Sequence, residues 1–294
     1  MSNYLFNIYK KSPFLTKIYK DTWLGGIIRF FVNIPPFFKF KSRMCVEYCS
    51  TINRRLGYSD QRFLPLKEYN NKYKGKRIFI TCTGPSLTIS DLELLANEYV
   101  FGMNSICKIH DKTDWKPDFF GIQDLHVFEK LKEYIYTTDN GIIFVPSGYK
   151  MKYNVPDDWI IWPMSAAYHL FELHRTHKYF AKFSKDPYIT VYDGYSITYS
   201  ILQLAIYMGF DEIYLLGADC TYLGQKQHFI ETGNYDPTFE SATERLFASY
   251  GEAKKFAENR GVKIFNATRG GCLEMFPRVR LEDVLANKVK NKLQ

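Results

Sequence analysis

Residues 77–87 read RIFITCTGPSL, and this stretch decides the fold. Ile78-Phe79-Ile80 is an apolar run of β-branched and aromatic residues suited to a buried strand. The run breaks at Thr83-Gly84-Pro85-Ser86, after which Leu87, Ile89, Leu92, Leu94 and Leu95 recur in a helical pattern. Strand, tight glycine turn and helix start make the usual entry to an open α/β sheet. Gly84 lets the backbone approach a ligand closely, and Ser86 or Ser90 is placed to cap the helix. The start of such a helix offers free N–H groups and a positive dipole end to a phosphate.

Outward from this stretch the chain keeps alternating. Residues 99–104 (YVFGMN) form a short strand ending on Asn104, and residues 117–124 (PDFFGIQD) form one ending on Asp124. Residues 141–146 (GIIFVP) make another, and residues 150–190 are less regular. An amphipathic helix is predicted over 196–208, then a strand over 212–216 (EIYLL) running into Gly217-Ala218-Asp219. A charged helix over 240–260, closed by Gly261, precedes a last strand over 262–265 that runs into Asn266-Ala267-Thr268-Arg269. Strands alternating with helices predict an α/β fold: an open, mostly parallel, Rossmann-like sheet with helices on both faces. Ligands bind outside the carboxyl ends of such strands. That rule gathers Gly84, Pro85, Ser86, Asn104, Asp124, Gly217, Asp219, Asn266 and Arg269 on one rim as a shared site.

The chain of 294 residues is 46% hydrophobic and 24% charged, which fits one globular α/β domain with an appendage. The charge is uneven: residues 1–78 hold 16 Lys/Arg against 4 Asp/Glu, whereas the whole chain is only +8. The predicted organisation is a basic, aromatic N-terminal appendage with its linker over 1–75, an α/β domain over 76–285 and a tail over 286–294. In the appendage, Phe14-Leu15, Ile18-Tyr19, Trp23-Leu24, Ile27-Ile28 and Phe30-Phe31 recur at roughly helical spacing among lysines, and Pro35-Pro36 ends the pattern. Such a helix either lies in an anionic membrane interface or packs on the body with its basic face solvated. An anionic membrane surface is the expected partner, and nucleic acid is not. Residues 56–75 read as the linker.

The six cysteines show no zinc spacing, and Cys82, Cys107 and Cys220 lie in or beside apolar runs as small hydrophobes. A reduced chain is expected, cytoplasmic and peripheral at the inner face of the cell membrane. No signal peptide is visible, and no run reaches the ~18 apolar residues that a membrane span requires. His169, His174 and His177 do not share one helical face, which argues against a metal site there. The absence of GxxxxGK[ST] excludes a P-loop kinase, and the absence of DxD removes the metal clamp of many nucleotide-diphosphate-sugar transferases.

Taken together, GPSL, Asn104, PDFFGIQD, the segment GYSITYSILQLAIYMGFDEIYLLGADCTY and the ending NATRGGCLEMFPRVRLEDVL resemble a known family. It is the family grouped around archaeal 6-hydroxymethylpterin diphosphokinase, and the resemblance covers residues 76–285. That family is similar in fold to bacterial CMP-sialic acid transferases and to the motility-associated factors that glycosylate flagellin. The sialyltransferases read Gly-Asn-Gly-Pro-Ser-Leu at the first turn, where this chain has Cys82-Thr83-Gly84-Pro85-Ser86-Leu87. The resemblance carries nucleotide or substrate contact onto Thr83, Gly84, Pro85, Ser86, Asn104, Asp124, Ser196, Thr198 and Gly217, with Asp219 completing the Gly-x-Asp. The family's catalytic histidine has no match by spacing from the last helix, where Glu244 or Arg245 falls instead; His228 is the only histidine after Asp219.

Two chemistries follow. In the first, a glycosyltransferase moves a CMP-activated sugar onto a surface glycan or lipid-linked acceptor without a cofactor. Tyr222 or His228 then donates to the leaving phosphate, His228, Asp219 or Asp124 acts as base, and Asn266 and Arg269 contact the ligand. In the second, a diphosphokinase moves pyrophosphate from ATP to a hydroxymethyl group, with Asp124 and Asp219 holding Mg²⁺.

Overall fold

The structure is a computed structural model, and it describes residue 17 and residues 22–58, 60–149, 152–176, 178–220, 229–230 and 242–286. At its centre is β1 (Arg77–Thr81), buried along its whole length. From β1 the chain steps outward through β2 (Tyr99–Met103), β3 (Phe119–Gly121), β4 (Ile142–Pro146) and β5 (Ile160–Trp162), each parallel to the last. It then forms a separate two-stranded sheet from β6 (Met164–Ser165) and β7 (Val191–Tyr192). Returning, β8 (Glu212–Leu216) pairs with the free side of β1, and β9 (Lys263–Asn266) pairs with β8. The seven-stranded order is β5-β4-β3-β2-β1-β8-β9, all parallel. Growth of the sheet reverses between β1 and β8, and at such a switch point a crevice opens at the carboxyl ends of the strands. The strands expected from the sequence are present. β5 falls in the stretch read as less regular, because three apolar residues are too few to show a period.

The helices follow from their apolar faces. Around the sheet lie α1 (Trp23–Arg55), α2 (Leu64–Lys67), α3 (Ile89–Leu94), α4 (Leu125–Thr137), α5 (Ala167–Thr176), α6 (Ile197–Tyr207), α7 (Ala242–Arg260) and α8 (Leu281–Ala286). Nearly every side chain of α6 is buried, so it reads as apolar all round and sits inside the body. Many of the abundant aromatics fill the core: Tyr73 stacks on Phe210 at 4.9 Å, and Phe101, Phe119 and Phe144 pack together.

Three local expectations are corrected. Pro35-Pro36 does not end the N-terminal pattern; α1 runs through both prolines for 33 residues. A helix-interior proline costs about 3 kcal/mol, and contacts to the body offset it. Phe37 lies 5.3 Å from the Phe171 ring of α5 and Phe40 lies 5.7 Å from His174. The Glu47 carboxylate accepts from Ser165 Oγ at 2.6 Å and from the Ala167 amide at 3.2 Å, and Arg54 donates to the Ile189 carbonyl at 2.7 Å. Residues 61–75 are not a bare linker, since Phe63, Leu66 and Tyr69 join the same core as the sheet. Finally, neither Ser86 nor Ser90 caps α3; Thr88 does, in a capping box with Asp91.

Candidate functional site

The crevice between the β1 and β8 ends is a cavity of about 560 Å³, within the range usual for small-molecule sites. Its floor is the turn after β1, and that turn is bound to the turn after β8. Gly84 N donates to the Gly217 carbonyl at 2.9 Å. Ser86 Oγ donates to Asp219 Oδ2 at 2.8 Å, and Leu87 N donates back to the Gly84 carbonyl at 3.3 Å. No side chain fits at Gly84: an added Cβ would lie 2.0 Å from Asp219 Oδ2 and 2.4 Å from the Gly217 carbonyl. Gly217 holds φ +64°, where its own Cβ would meet the Cys82 carbonyl at 2.7 Å. The glycines therefore serve the contact between two turns.

This changes where an anion is received. The amides of Gly84 and Leu87 are engaged within the protein, the Ser86 amide points to Asp219 at 3.4 Å, and Pro85 has none. The α3 start is closed by its own capping box. The expected phosphate cradle at that helix is thus already occupied by protein groups. The α4 start is closed too, because Asp124 Oδ1 accepts from the His126 and Val127 amides at 2.7 and 3.1 Å. The α6 start stays open. Ser196 accepts only from the Tyr199 amide, at 3.3 Å, so the Ile197 and Thr198 amides have no partner among the described residues. Both residues line the cavity, and the first amides of a helix carry its positive dipole end.

Further uncommitted polar groups face the same space. Thr83, Asn104 and His126 line the cavity, and their side chains have no hydrogen-bond partner among the described residues. Gln123 accepts from Ser200 at 2.6 Å, which fixes its carbonyl end and leaves its amide hydrogens available. Asp193 also lines the cavity and accepts from the Tyr195 amide at 3.0 Å. So each of the three cavity carboxylates (Asp124, Asp193 and Asp219) holds a neighbouring segment with one oxygen. The described lining contains no Lys or Arg. Burial pushes the Cys82 thiol up to about 12 and raises that of Cys220, so both are neutral and neither is a nucleophile.

The backbone is strained around the cavity, and at Asn71 (φ 57°) away from it. Asn104 (φ 49°), Tyr195 (φ 73°) and Cys220 (φ 55°) adopt the left-handed region without being glycine, and all three line the cavity. Such residues each cost about 1–3 kcal/mol and cluster at ligand sites.

Of the residues singled out in the sequence, Thr83, Gly84, Pro85, Asn104, Asp124, Ser196, Thr198, Gly217 and Asp219 line the cavity together. Ser86 sits behind them, bound to Asp219. Asn266 does not reach it. Its side chain is wholly buried and ties down the loop after β9, donating to the Leu273 carbonyl at 2.7 Å and accepting from the Thr268 amide at 3.0 Å. Arg269 does not reach it either; its guanidinium pairs with Asp91 at 2.5 Å and Glu282 at 2.9 Å. The β9 loop folds back over the β8 end, which uses up the polar groups that sequence order placed on the rim. Tyr222 and His228 lie outside the described residues.

Asp124 and Asp219, the Mg²⁺ ligands of the second reading, follow β3 and β8, strands separated by β2 and β1, and both line the cavity. One oxygen of each is already taken, by the His126 and Val127 amides and by Ser86. Among the described residues no cluster of three or more His, Cys, Asp or Glu is arranged to hold a metal.

Sequence reasoning missed Gln123, His126, Asp193 and Tyr195. Gln123 and His126 flank Asp124 in the strand-end run GIQDLH, and Asp193 and Tyr195 lie just before α6 in YDGYS. A polar cluster directly after an apolar run was the available signal.

A model of the family described as 6-hydroxymethylpterin diphosphokinase MptE-like matches residues 58–225. No curated protein matches the sequence. Similar solved structures include a MAf glycosyltransferase from Magnetospirillum magneticum AMB-1, at 14% identity and a TM-score of 0.42, over 74% of this chain and 37% of that one. The chain thus spans little more than a third of that protein's length. They also include the sialyltransferase CstII from Campylobacter jejuni with cytidine-5'-monophosphate (16% identity, TM-score 0.43, 70% of this chain and 85% of that one). The same enzyme with CMP-3FNeuAc gives 15% identity and a TM-score of 0.45 over 69% of this chain and 86% of that one.

Proposed function

This chain belongs to the MptE-like family, and from that premise we propose that it is a transferase taking a sugar from a CMP-activated donor. The acceptor is a hydroxyl of a cell-surface glycan or lipid-linked glycoconjugate. The observation that carries this reading is the charge of the cavity. Three carboxylates and no described Lys or Arg line it, a poor setting for the triphosphate of ATP. A CMP-activated acidic sugar brings one phosphodiester and one carboxylate charge, fewer than the triphosphate of ATP. The Ile197 and Thr198 amides, with Thr83 and Asn104, supply neutral donors for the phosphodiester. In the transfer, the bond from the anomeric carbon to the phosphate oxygen breaks and CMP departs with the electron pair. The acceptor oxygen bonds to that carbon, and a base takes its proton. His126 is the imidazole that faces the cavity among the described residues; His228 is the second candidate. Asp219 positions the β1 turn through Ser86.

A second reading is pyrophosphoryl transfer from ATP, favoured by the family's own description. Thermal melting with CMP, a CMP-sugar panel and ATP, each with Mg²⁺ or EDTA, separates the two. A ligand at 100-fold its Kd stabilises by about 2.7 kcal/mol. CMP is expected to stabilise equally in Mg²⁺ and EDTA. His126→Ala is expected to keep CMP binding and to lower turnover by about 10²–10⁴-fold. Turnover of ATP with a hydroxymethylpterin, lost on adding EDTA, would overturn the proposal.

A further inference from the structure

The two faces of α1 have different surroundings. One face packs on the body through Phe37, Phe40, Glu47, Thr51 and Arg54. The opposite face carries Leu24 (54% exposed), Phe38 (66%), Val46 (69%) and, just past the helix end, Leu56 (69%), with the exposed thiols Cys45 and Cys49 between them. Phe38, Cys45 and Cys49 follow one another at spacings of 7 and 4, and Trp23, also exposed, begins the helix. A run of exposed apolar residues along one helix face marks an interaction surface.

The charge along α1 chooses the occupant. Its sequence holds Arg29, Lys39, Lys41, Arg43, Arg54 and Arg55 against Glu47 alone. Arg54 is buried on the Ile189 carbonyl and Arg43 pairs with Glu47, which points inward to Ser165 and Ala167, so Lys39, Lys41 and Arg55 are the exposed unpaired charges among the described residues of the helix. A second copy set against this face would oppose basic residues to basic residues. An anionic surface neutralises them. We propose that this outward face of α1 docks in the plane of an anionic phospholipid bilayer, with Phe38, Val46 and Leu24 inserted at the headgroup boundary and Lys39, Lys41 and Arg55 on lipid phosphates. No helix among the described residues is long and apolar enough to cross a membrane, and the arrangement needs none. Both alternatives open at the sequence level are then realised, one by each face of the same helix. Glu47 holds Ser165, whose neighbour Met164 lines the cavity. Docking therefore brings that edge of the site within about one helix diameter, roughly 10–12 Å, of the lipid surface. An acceptor held in the bilayer is the substrate class this placement serves. The docking itself stands whether or not the transferase reading does.

The test is co-sedimentation of the full chain with vesicles of phosphatidylcholine alone and of phosphatidylcholine mixed with phosphatidylglycerol. Binding is expected only to the mixed vesicles and is expected to fall several-fold between 0.05 and 0.5 M salt, since the Debye length shrinks from about 14 to about 4 Å. Phe38→Glu with Val46→Glu should weaken it at least tenfold while circular dichroism and melting temperature hold. Leu94→Ser, which alters an exposed apolar residue of α3, should leave it unchanged. Equal partitioning of wild type and the Phe38/Val46 variant overturns the proposal. So does a dimer in sedimentation velocity that the same variant dissociates, with no vesicle binding by wild type.

Discussion

Gly84→Ala tests the contact between the two turns that form the cavity floor. The new Cβ would stand 2.0 Å from Asp219 Oδ2, 2.9 Å from Asp219 Cγ and 2.4 Å from the Gly217 carbonyl. Relief requires both turns to move. Asp219 is only 7% exposed, so swinging its carboxylate away breaks the Ser86 bond and leaves a charge in a half-dry site. Losing a hydrogen bond to a charged group costs about 1.5–3 kcal/mol, and overpacking adds about 1–3 kcal/mol. The expected destabilisation is about 3–5 kcal/mol, which lowers Tm by roughly 6–20 °C at about 2–4 °C per kcal/mol. Urea unfolding at pH 7 and calorimetric melting measure it. In an Asp219→Ala background the same change should cost about 1–2 kcal/mol less, because one of the two clashing groups is gone. The Gly217 carbonyl keeps the rescue partial. A Gly84→Ala protein that melts within 1 °C of wild type refutes this account of the turn.

Two further perturbations probe the body. Arg77 and Glu98 form a buried pair at 2.5 Å with side chains 8% and 9% exposed. Arg77→Met removes this ion pair and the Arg77 bond to the Val284 carbonyl and should cost about 3–5 kcal/mol in urea unfolding, whereas Arg77→Met with Glu98→Leu should recover part of it. His169 is 5% exposed with Nδ1 unpartnered among the described residues, and burial lowers its pKa below the usual 6.5 against the opposing charge of Asp193. Between that lowered value and 6.5 the unfolded chain binds a proton the folded chain does not, so stability is full above 6.5 and falls as pH drops through this window. His169→Leu should flatten that slope in unfolding measured from about pH 5 to 7. An unchanged slope places the titration elsewhere.

The sheet was legible in the sequence because its signal is local. The runs IFI, EIYLL and IIFV each announce a buried strand within a few residues, and the order of the strand ends places a crevice beside residues 84 and 217 before any contact is known. The runs YVFGM, FFGIQ and EIYLL also put Asn104, Asp124 and Asp219 on the cavity wall. Tertiary structure decided which polar groups remain available. The Gly84 amide is taken by Gly217 and the Ser86 hydroxyl by Asp219, 133 residues away in the chain. Arg269 is claimed by Asp91 and Glu282, and Asn266 by Leu273. A hydrogen bond or ion pair depends on a partner brought near by the fold, so composition and spacing show that a group exists but not whether it is already bonded. The same holds for α1, whose two prolines stop a helix by local propensity and are carried through it by the contacts to α5 and to Ser165 of β6.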